Sequence, residues 1–196
     1  MIRLILVRHG ETEANRKHFL QGQSNGKLNE TGKQQAKDLA FQLKDMKIDQ
    51  ILSSDMVRAI DTAAAIAEFH QIAVEEKIIL REWNCGILDG LPAEALHKAL
   101  VESELPLADF RPEEGETLRE VRKRAAVFLE EIERDFQGMT VLVCSHGDFL
   151  RMLASNLQDI SFEDANDIRF KNASYSIFEK GDQRWKTVSL NNSANT

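Results

Sequence analysis

The sequence predicts a three-layer α/β/α domain with a mainly parallel sheet, an antiparallel strand near the end and a small helical insertion. Short apolar runs alternate with amphipathic segments, which favours parallel strands covered by helices on both faces. Two apolar runs near the end of the chain flank residues 180–183, a turn signal that predicts a hairpin. The 196 residues, of which 42% are hydrophobic and 29% charged, suit one domain over residues 1–196, with an insertion at about 91–115.

The first part of the chain predicts three strands and two helices. Residues 1–8 form a buried strand, and the polar residues 9–30 form a loop whose length is typical of functional loops. Thr31 and Gln34 resemble a capping box at the start of a helix through Leu43. Residues 50–53 and 77–80 predict the next two strands.

A helix is predicted between those two strands, from the N-cap candidates Ser54 and Asp55 to about Phe69. Its predicted buried stripe consists of Met56, Ile60, Ala63, Ala64 and Ala67.

The second part of the chain begins with a weaker pattern. Three prolines lie in residues 91–115, and one short helix is predicted near residues 93–101. A long amphipathic helix follows over residues 118–136. Residues 140–144 predict a strand followed by a helix near residues 149–156, and the last two strands are predicted near 174–178 and 185–190.

The bulk composition argues against several classes of partner. A net charge of −7 argues against nucleic acid, which is bound through an excess of Lys and Arg. No apolar run is long enough to span a membrane, and Arg3 interrupts the first one, so we expect no signal peptide and a cytoplasmic location. Cys85 and Cys144 lack metal-ligand spacing, and a reducing compartment favours free thiols over a disulfide between them.

The pair Arg8 and His9 stands where the first predicted strand ends. A guanidinium binds phosphate or carboxylate oxygens in a fork, and an imidazole can accept a transferred group covalently. The pair therefore indicates phosphoryl chemistry. The alternative is a surface turn in which Arg8 pairs with Glu11 or Glu13.

Further reactive groups follow later predicted strands: Arg58 in the first turn of a helix, then Glu82 and His146. Ligands bind at the carboxyl ends of strands in open α/β sheets, and a helix N-terminus favours anions. We therefore expect two arginines, two histidines and one glutamate around one crevice. The alternatives are a solvated Arg58, a Glu82 paired with Arg81, and a His146 that is a satisfied core residue.

These stretches together resemble the histidine phosphatase superfamily, also called phosphoglycerate mutase-like, and its phosphatase branch. The resemblance runs nearly from end to end, with one departure, Asn29 in place of the usual Thr. The similar segments are residues 6–15 (LVRHGETEAN), 27–32 (KLNETG), 53–63 (SSDMVRAIDTA), 80–90 (LREWNCGILDG), 115–117 (GET) and 143–147 (VCSHG).

The resemblance implies a phosphoglycerate mutase-like fold and a role for each matching residue. His9 would be the nucleophile and become a phosphohistidine, and Glu82 would be the general acid and then the base that activates water. The remaining implied residues bind the phosphoryl group or line the pocket: Arg8, Arg58 and His146 on the phosphoryl oxygens, Asn15 as a neutral donor, and Gln21 and Gly22 in a lining loop. The expected partner is a small-molecule phosphomonoester, with no metal or other cofactor.

Elementary electrostatics agrees with these roles. His9 must be neutral to attack, and nearby Arg8 and Arg58 lower its pKa. Glu82 must be protonated to donate. Burial raises the pKa of a carboxyl group and nearby arginines lower it, so the sequence leaves the protonation state of Glu82 open.

The sequence favours hydrolysis over mutase chemistry. Mutases of the family carry Arg-His-Tyr after the acid, whereas Trp83, Asn84 and Cys85 follow Glu82 here. We expect a phosphatase for a small metabolite, similar to α-ribazole phosphatases or of broad specificity. The alternatives are a phosphoglycerate mutase and a weakly active phosphate-binding module. Residues 91–115 mix apolar and acidic side chains, so a lid there would disfavour multiply charged leaving groups.

Overall fold

The computed structural model describes residues 1–181 and 184–193, and within them six strands and seven α-helices. The strands are β1 (Ile2–Arg8), β2 (Gln50–Ser53), β3 (Val74–Glu76), β4 (Thr140–Ser145), β5 (Tyr175–Lys180) and β6 (Trp185–Asn192). The helices are α1 (Glu13–Arg16), α2 (Glu30–Leu43), α3 (Val57–His70), α4 (Ala93–Ser103), α5 (Leu118–Asp135), α6 (Gly147–Gln158) and α7 (Phe162–Ala165).

The six strands form one sheet in the order β3-β2-β4-β1-β5-β6. The pairs β3/β2, β2/β4 and β4/β1 are parallel, and β5 runs antiparallel to both β1 and β6. The predicted mainly parallel sheet with an antiparallel strand is confirmed. The predicted terminal hairpin is confirmed in its strands, while its turn includes Asp182 and Gln183, which lie outside the described residues.

Helices cover both faces of the sheet, which confirms the three-layer prediction. Alternate residues of β1 point to opposite faces. Leu4 and Leu6 join one core cluster with α5 and α6, whereas Ile5 and Val7 join a second cluster with α2 and α3. Within the described residues, no helix is long and apolar enough to cross a membrane.

Two predicted helix starts are wrong. The N-cap of α2 is Asn29, whose side chain accepts the Gly32 amide at 2.8 Å, so Thr31 already lies inside the helix. Helix α3 starts at Val57 instead of directly after Asp55, although Ser54 Oγ accepts the Met56 amide at 3.3 Å. Ser54 Oγ contacts a histidine ring, as described below, and Asp55 pairs with a neighbouring arginine.

The predicted buried stripe of α3 is also wrong in part. The buried residues of the helix are Arg58, Ala59, Thr62, Ala63 and Ile66, whereas Ile60 and Ala67 are half-buried and Ala64 is exposed. Sequence patterning counts apolar residues alone. Here the buried face also includes two polar side chains: Arg58 donates to His9, and Thr62 Oγ1 accepts the Gly10 amide.

The third predicted strand is displaced along the chain. The strand next to β2 is β3, Val74–Glu76, and Ile78–Leu80 forms a 3-10 turn instead. Glu82 therefore follows an irregular segment and not a strand. The predicted helix of the segment 91–115 is confirmed as α4, while the division into one domain with an insertion at about 91–115 stays a prediction. Both cysteines are free thiols in the interior.

Candidate active site

The two histidines lie side by side because β1 and β4 are adjacent parallel strands. Arg8 is in register with Ser145, so His9 and His146 follow at the same level of the sheet edge. Their ring centroids are 5.1 Å apart at an interplanar angle of 60°. Both rings are buried. The sheet therefore places the two imidazoles predicted to act together at one point.

Hydrogen bonds define the protonation of both rings. His9 Nδ1 lies 2.7 Å from the Gly10 carbonyl, which fixes the proton there and leaves Nε2 with a lone pair. Arg58 Nε donates to His9 Nε2 at 3.3 Å and to His146 Nδ1 at 3.2 Å. His146 Nε2 lies 2.8 Å from Ser54 Oγ. Both imidazoles are thus neutral in this arrangement.

Arg58 occupies the first turn of α3, as predicted, with 1% of its surface exposed. Its terminal nitrogens donate to the carbonyl groups of Gly22 and Ser24, each at 2.8 Å. One guanidinium therefore joins the two imidazoles to the polar loop before α2. Burial lowers the pKa of Arg58 to about 10, so the group remains a cation at neutral pH.

The electrostatic environment keeps both imidazoles unprotonated. Burial lowers the pKa of His9 well below its usual value, and the charges of Arg58 and Arg8 lower it further. The pKa of His146 is also well below the usual value, for the same leading causes of burial and the Arg58 charge. A neutral His9 whose Nε2 is unprotonated is the form that a nucleophilic imidazole requires.

Glu82 lies at the N-terminus of α6. Its carboxyl oxygens accept the backbone amides of Trp83 at 2.9 Å, Asp148 at 3.1 Å and Phe149 at 3.1 Å. Burial and the neighbouring Asp148 charge raise the pKa of Glu82, against the opposing effect of the amides and of Arg58. A carboxyl group with a raised pKa is suited to donate a proton.

The remaining predicted residues surround the same point. Arg8 donates to the Phe170 carbonyl at 2.6 Å. The amide oxygen of Asn15 accepts from Thr12 and from Asn172, at 3.1 Å in the latter case, which leaves the amide nitrogen as the donor for an anion. Gln21 Oε1 accepts from Thr12 Oγ1 at 2.9 Å.

These side chains line a cavity of about 210 Å³, and the lining residues include two chemical groups, which we call the cationic end and the apolar end. The cationic end consists of Arg8, His9, Asn15 and Arg58. The apolar end consists of Phe19, Leu20, Trp83, Cys85 and Leu96. Glu82 and Asp148 also line the cavity, together with Gln21 and Gly22. His146 is fully buried and does not line it, in contrast to the other predicted site residues.

Several contributors were not predicted from the sequence. Asn172 donates to the carbonyl groups of His9 and Gly10 and to Asn15, yet it is separated from them by about 160 positions. Ser54 was expected only as a helix cap. Asp148 had one available signal, its position directly after the His146-Gly147 pair.

The donor set of the cavity suits an anion. Its cationic end offers guanidinium and amide N–H groups, which match phosphate oxygens in geometry and charge. Within residues 1–181 and 184–193, no group of three or more His, Cys, Asp or Glu side chains is arranged to hold a metal ion.

Comparison with known sequences gives one consistent family. The model of the histidine phosphatase superfamily (branch 1) matches residues 4–193. The chain is 33% identical over 192 residues to a Shigella boydii protein named "Probable phosphoglycerate mutase GpmB", covering 94% of this chain and 88% of the relative. It is 32% identical to the corresponding protein of Escherichia coli K12, with the same coverage.

Solved structures give the same result. A mycobacterial glucosyl-3-phosphoglycerate phosphatase, in complex with VO3, superposes with a TM-score of 0.88 at 27% identity, over 97% of this chain and 99% of that one. An Escherichia coli protein described as a candidate alpha-ribazole-5'-P phosphatase superposes with a TM-score of 0.90 at 25% identity, over 97% and 96%.

Proposed function

Because this chain belongs to the histidine phosphatase superfamily, we propose that it is a metal-independent phosphomonoester hydrolase that acts through a phosphohistidine intermediate. The observation that carries the proposal is the state of His9. Its Nδ1 is held by the Gly10 carbonyl, and its Nε2 lone pair lies beside the buried Arg58 guanidinium in the cavity. A nucleophile and the charge that stabilises its product are thus adjacent.

The proposed reaction has two displacements. In the first, His9 Nε2 forms a bond to phosphorus, the bond to the leaving oxygen breaks, and Glu82 gives its proton to that oxygen. In the second, a water molecule attacks phosphorus as Glu82 takes a proton from it, and the bond to Nε2 breaks to release phosphate. Glu82 is thereby returned to its protonated form, which agrees with its raised pKa.

Cationic donors stabilise the transferring group in this proposal. Arg8 and Arg58 lie at the cationic end and bind the phosphoryl oxygens, with the amide nitrogen of Asn15 as a neutral donor. In this proposal His146 also donates to a phosphoryl oxygen, through a proton carried on Nδ1. Ser54 Oγ can donate as well as accept, so it can support that tautomer when a phosphoryl oxygen replaces the Arg58 contact.

The apolar end supports hydrolysis of a monoester with an uncharged leaving group. Among the lining residues the cations are Arg8 and Arg58, and both lie at the cationic end. From residues 91–115 the cavity receives Leu96, an apolar side chain. A leaving group with its own carboxylate would find no cation among the described lining residues other than Arg8 and Arg58. The proposed substrate class is a small phosphorylated metabolite of partly apolar character, α-ribazole phosphate included.

A phosphoglycerate mutase activity is the second candidate, favoured by the names of the relatives that are 32–33% identical. Incubation with 3-phosphoglycerate distinguishes the two. Hydrolysis predicts release of inorganic phosphate in excess of 2-phosphoglycerate, and the reverse ratio would establish the mutase. Tight phosphate binding without turnover of any phosphoester would instead indicate a binding module.

The test of the proposal is the His9→Ala variant with p-nitrophenyl phosphate. We expect turnover to disappear, and we expect rapid denaturation of the wild-type enzyme at alkaline pH to trap one phosphoryl group on His9, detectable by peptide mass spectrometry. His97→Ala, an exposed histidine on α4, is the matched control and should retain wild-type turnover. Comparable turnover in His9→Ala would refute the proposal.

A further inference from the structure

The Arg124 side chain donates hydrogen bonds to the chain segment that carries Glu82. The residue lies in the middle of α5, with its side chain 19% exposed, and it donates to three carbonyl groups of that segment. The distances are 2.7 Å to Ile79, 2.7 Å to Arg81 and 3.3 Å to Glu82. A fourth bond, of 2.7 Å, reaches the carboxylate of Glu116. The planar fork of a guanidinium is suited to several acceptors at once.

The segment that Arg124 contacts has little regular secondary structure. It consists of the 3-10 turn Ile78–Leu80 and the extended Arg81, outside the sheet. Buried carbonyl groups need donors, and a segment without a strand partner must find them elsewhere. Arg124 supplies donors on one side of the segment, and Ser145 Oγ donates to the Leu80 carbonyl at 2.6 Å. The position of this backbone therefore depends on side chains.

Glu116 forms hydrogen bonds with the residues that follow Glu82. Its carboxylate accepts the Asn84 amide at 3.0 Å, and its backbone amide donates to the Asn84 carbonyl at 3.0 Å. The Trp83 indole donates to the Glu116 carbonyl. The pair of Arg124 and Glu116 thus holds the chain on both sides of Glu82.

Arg124 does not touch the reacting groups. It contacts the backbone oxygen of Glu82, while the carboxyl group is held by amides at the start of α6. It is absent from the cavity lining, and its guanidinium lies 5.0 Å from the centre of the Phe149 ring. Its charge is one of several that lower the pKa of His146, and its hydrogen bonds act on the placement of Glu82.

We propose that Arg124 is a positioning residue that sets the reach of the Glu82 carboxyl group toward the leaving-group oxygen. The proposal rests on the proposed function, in which Glu82 is the general acid. Misplacement of a catalytic group by about 1 Å costs on the order of 100-fold in rate. Loss of Arg124 should therefore impair proton donation in particular, and not phosphoryl binding or nucleophilic attack.

Two substrates that differ in leaving group test this idea. Phenyl phosphate has a poor leaving group and needs the acid, whereas 2,4-dinitrophenyl phosphate has a good one and needs it little. The measured quantity is kcat/KM, which covers steps up to departure of the leaving group and omits the later hydrolysis of the phosphoenzyme. For Arg124→Met we expect a loss of about 10–100-fold with phenyl phosphate and less than about threefold with the dinitrophenyl ester.

Arg122→Met is the matched control. Arg122 lies on the same helix and is similarly engaged, donating to Asn156 and to the Ile160 carbonyl, away from the Glu82 segment. Its ratio of kcat/KM values between the two substrates should equal that of the wild type. Arg124→Lys keeps one charge without the fork and should show an intermediate ratio. It also serves as the second variant where Arg124→Met does not fold, as checked by circular dichroism.

Glu82→Gln separates this proposal from the proposed function. If that variant lacks a selective loss with phenyl phosphate, Glu82 is not the acid, and both the role of Glu82 in the proposed function and the positioning role of Arg124 are overturned. If Glu82→Gln shows the selective loss while Arg124→Met and Arg124→Lys lose both substrates equally or neither, the positioning role alone is overturned. In Glu82→Gln/Arg124→Met, the loss with phenyl phosphate should equal that of Glu82→Gln alone.

Discussion

The two ends of the cavity are built by different parts of the fold. The cationic end takes Arg8 and His9 from the end of β1 and Arg58 from the first turn of α3, elements whose backbones are held by the sheet and its flanking helices. The apolar end takes its side chains from the loop around residues 19–20, the irregular segment 83–85 and α4.

This difference separates chemistry from selectivity. Of the groups that act on the phosphoryl group in the proposed mechanism, Arg8, His9 and Arg58 lie on or directly after a regular strand or helix, whereas Asn15 and the acid Glu82 lie outside the sheet. Side chains that contact the remainder of a substrate sit on loops, which tolerate changes of sequence and length more easily. Mutations at the cationic end should therefore change the rate for every substrate, whereas mutations at the apolar end should change the ranking of substrates.

The largest expected effect is at the centre of the cationic end. Arg58→Met removes the charge that faces both imidazoles and the bonds to the loop carbonyl groups of Gly22 and Ser24. We expect kcat/KM for p-nitrophenyl phosphate to fall by about 100–1,000-fold, the scale for loss of a preorganised oxyanion donor. Arg16→Met, on an exposed arginine paired with Glu13, should have no such effect. A fall of less than about tenfold would contradict the proposed catalytic role of Arg58 at the cationic end.

The pH profile of kcat/KM is the next test, because its two limbs report the two kinds of catalytic group. The pKa of His9 is lowered, so the acid limb should lie well below pH 6.5, where the imidazole becomes protonated. The pKa of Glu82 is raised, so the alkaline limb should lie above pH 4.5, where the acid form is lost. Each limb should change by about tenfold per pH unit.

Glu82→Gln should remove the alkaline limb and leave the acid limb in place. Ionisation of the substrate contributes equally to the wild type and the variant, so the difference between their profiles belongs to the enzyme. An alkaline limb of unchanged position in Glu82→Gln would show that another group sets it.

The accuracy of the predictions from sequence also differs between the central strands and the irregular segment before Glu82. Strands β1 and β4 lie in the middle of the sheet and carry the apolar runs 4–7 and 141–144, so these runs identify them and, with them, the positions of His9 and His146. Strand β3 lies at the sheet edge and reads Val-Glu-Glu, with one apolar residue, whereas the neighbouring Ile78–Leu80 is entirely apolar and forms a turn. The sequence therefore placed Glu82 after the wrong kind of element.

The finer parts of the site depend on contacts across the chain, which periodicity does not encode. The bond between Asn172 and Asn15 joins positions 157 apart, and the contact between Ser54 and His146 joins positions 92 apart. The motif resemblance implied that His146 binds phosphoryl oxygens, but only the packing shows that its ring is fully buried beside His9. Such placements follow from side-chain packing after the sheet has formed.

A change at the apolar end should act on selectivity. Leu96→Lys introduces a cation into the part of the cavity whose described lining otherwise lacks one. The ratio of kcat/KM for 3-phosphoglycerate to that for phenyl phosphate should rise by about fivefold, the scale of a single partly exposed ion pair. Leu96→Met keeps the end apolar and should leave the ratio unchanged. If Leu96→Lys altered both substrates equally, the apolar end would not select the leaving group.

The smallest expected effect concerns a buried support of the cationic end. Ser54→Ala removes the hydroxyl partner of His146 Nε2, and loss of one such hydrogen bond lowers the free energy of unfolding by about 1 kcal/mol. Because Ser54 influences which nitrogen of His146 is protonated, the tautomer population seen by nitrogen-15 NMR should shift, with a fall of about twofold in kcat. Ser155→Ala removes a buried hydroxyl that donates to the Met152 carbonyl, away from the cavity, and should lower stability alone. A tautomer population that is unchanged in Ser54→Ala would mean that Arg58, and not the hydroxyl group, determines the protonation of His146.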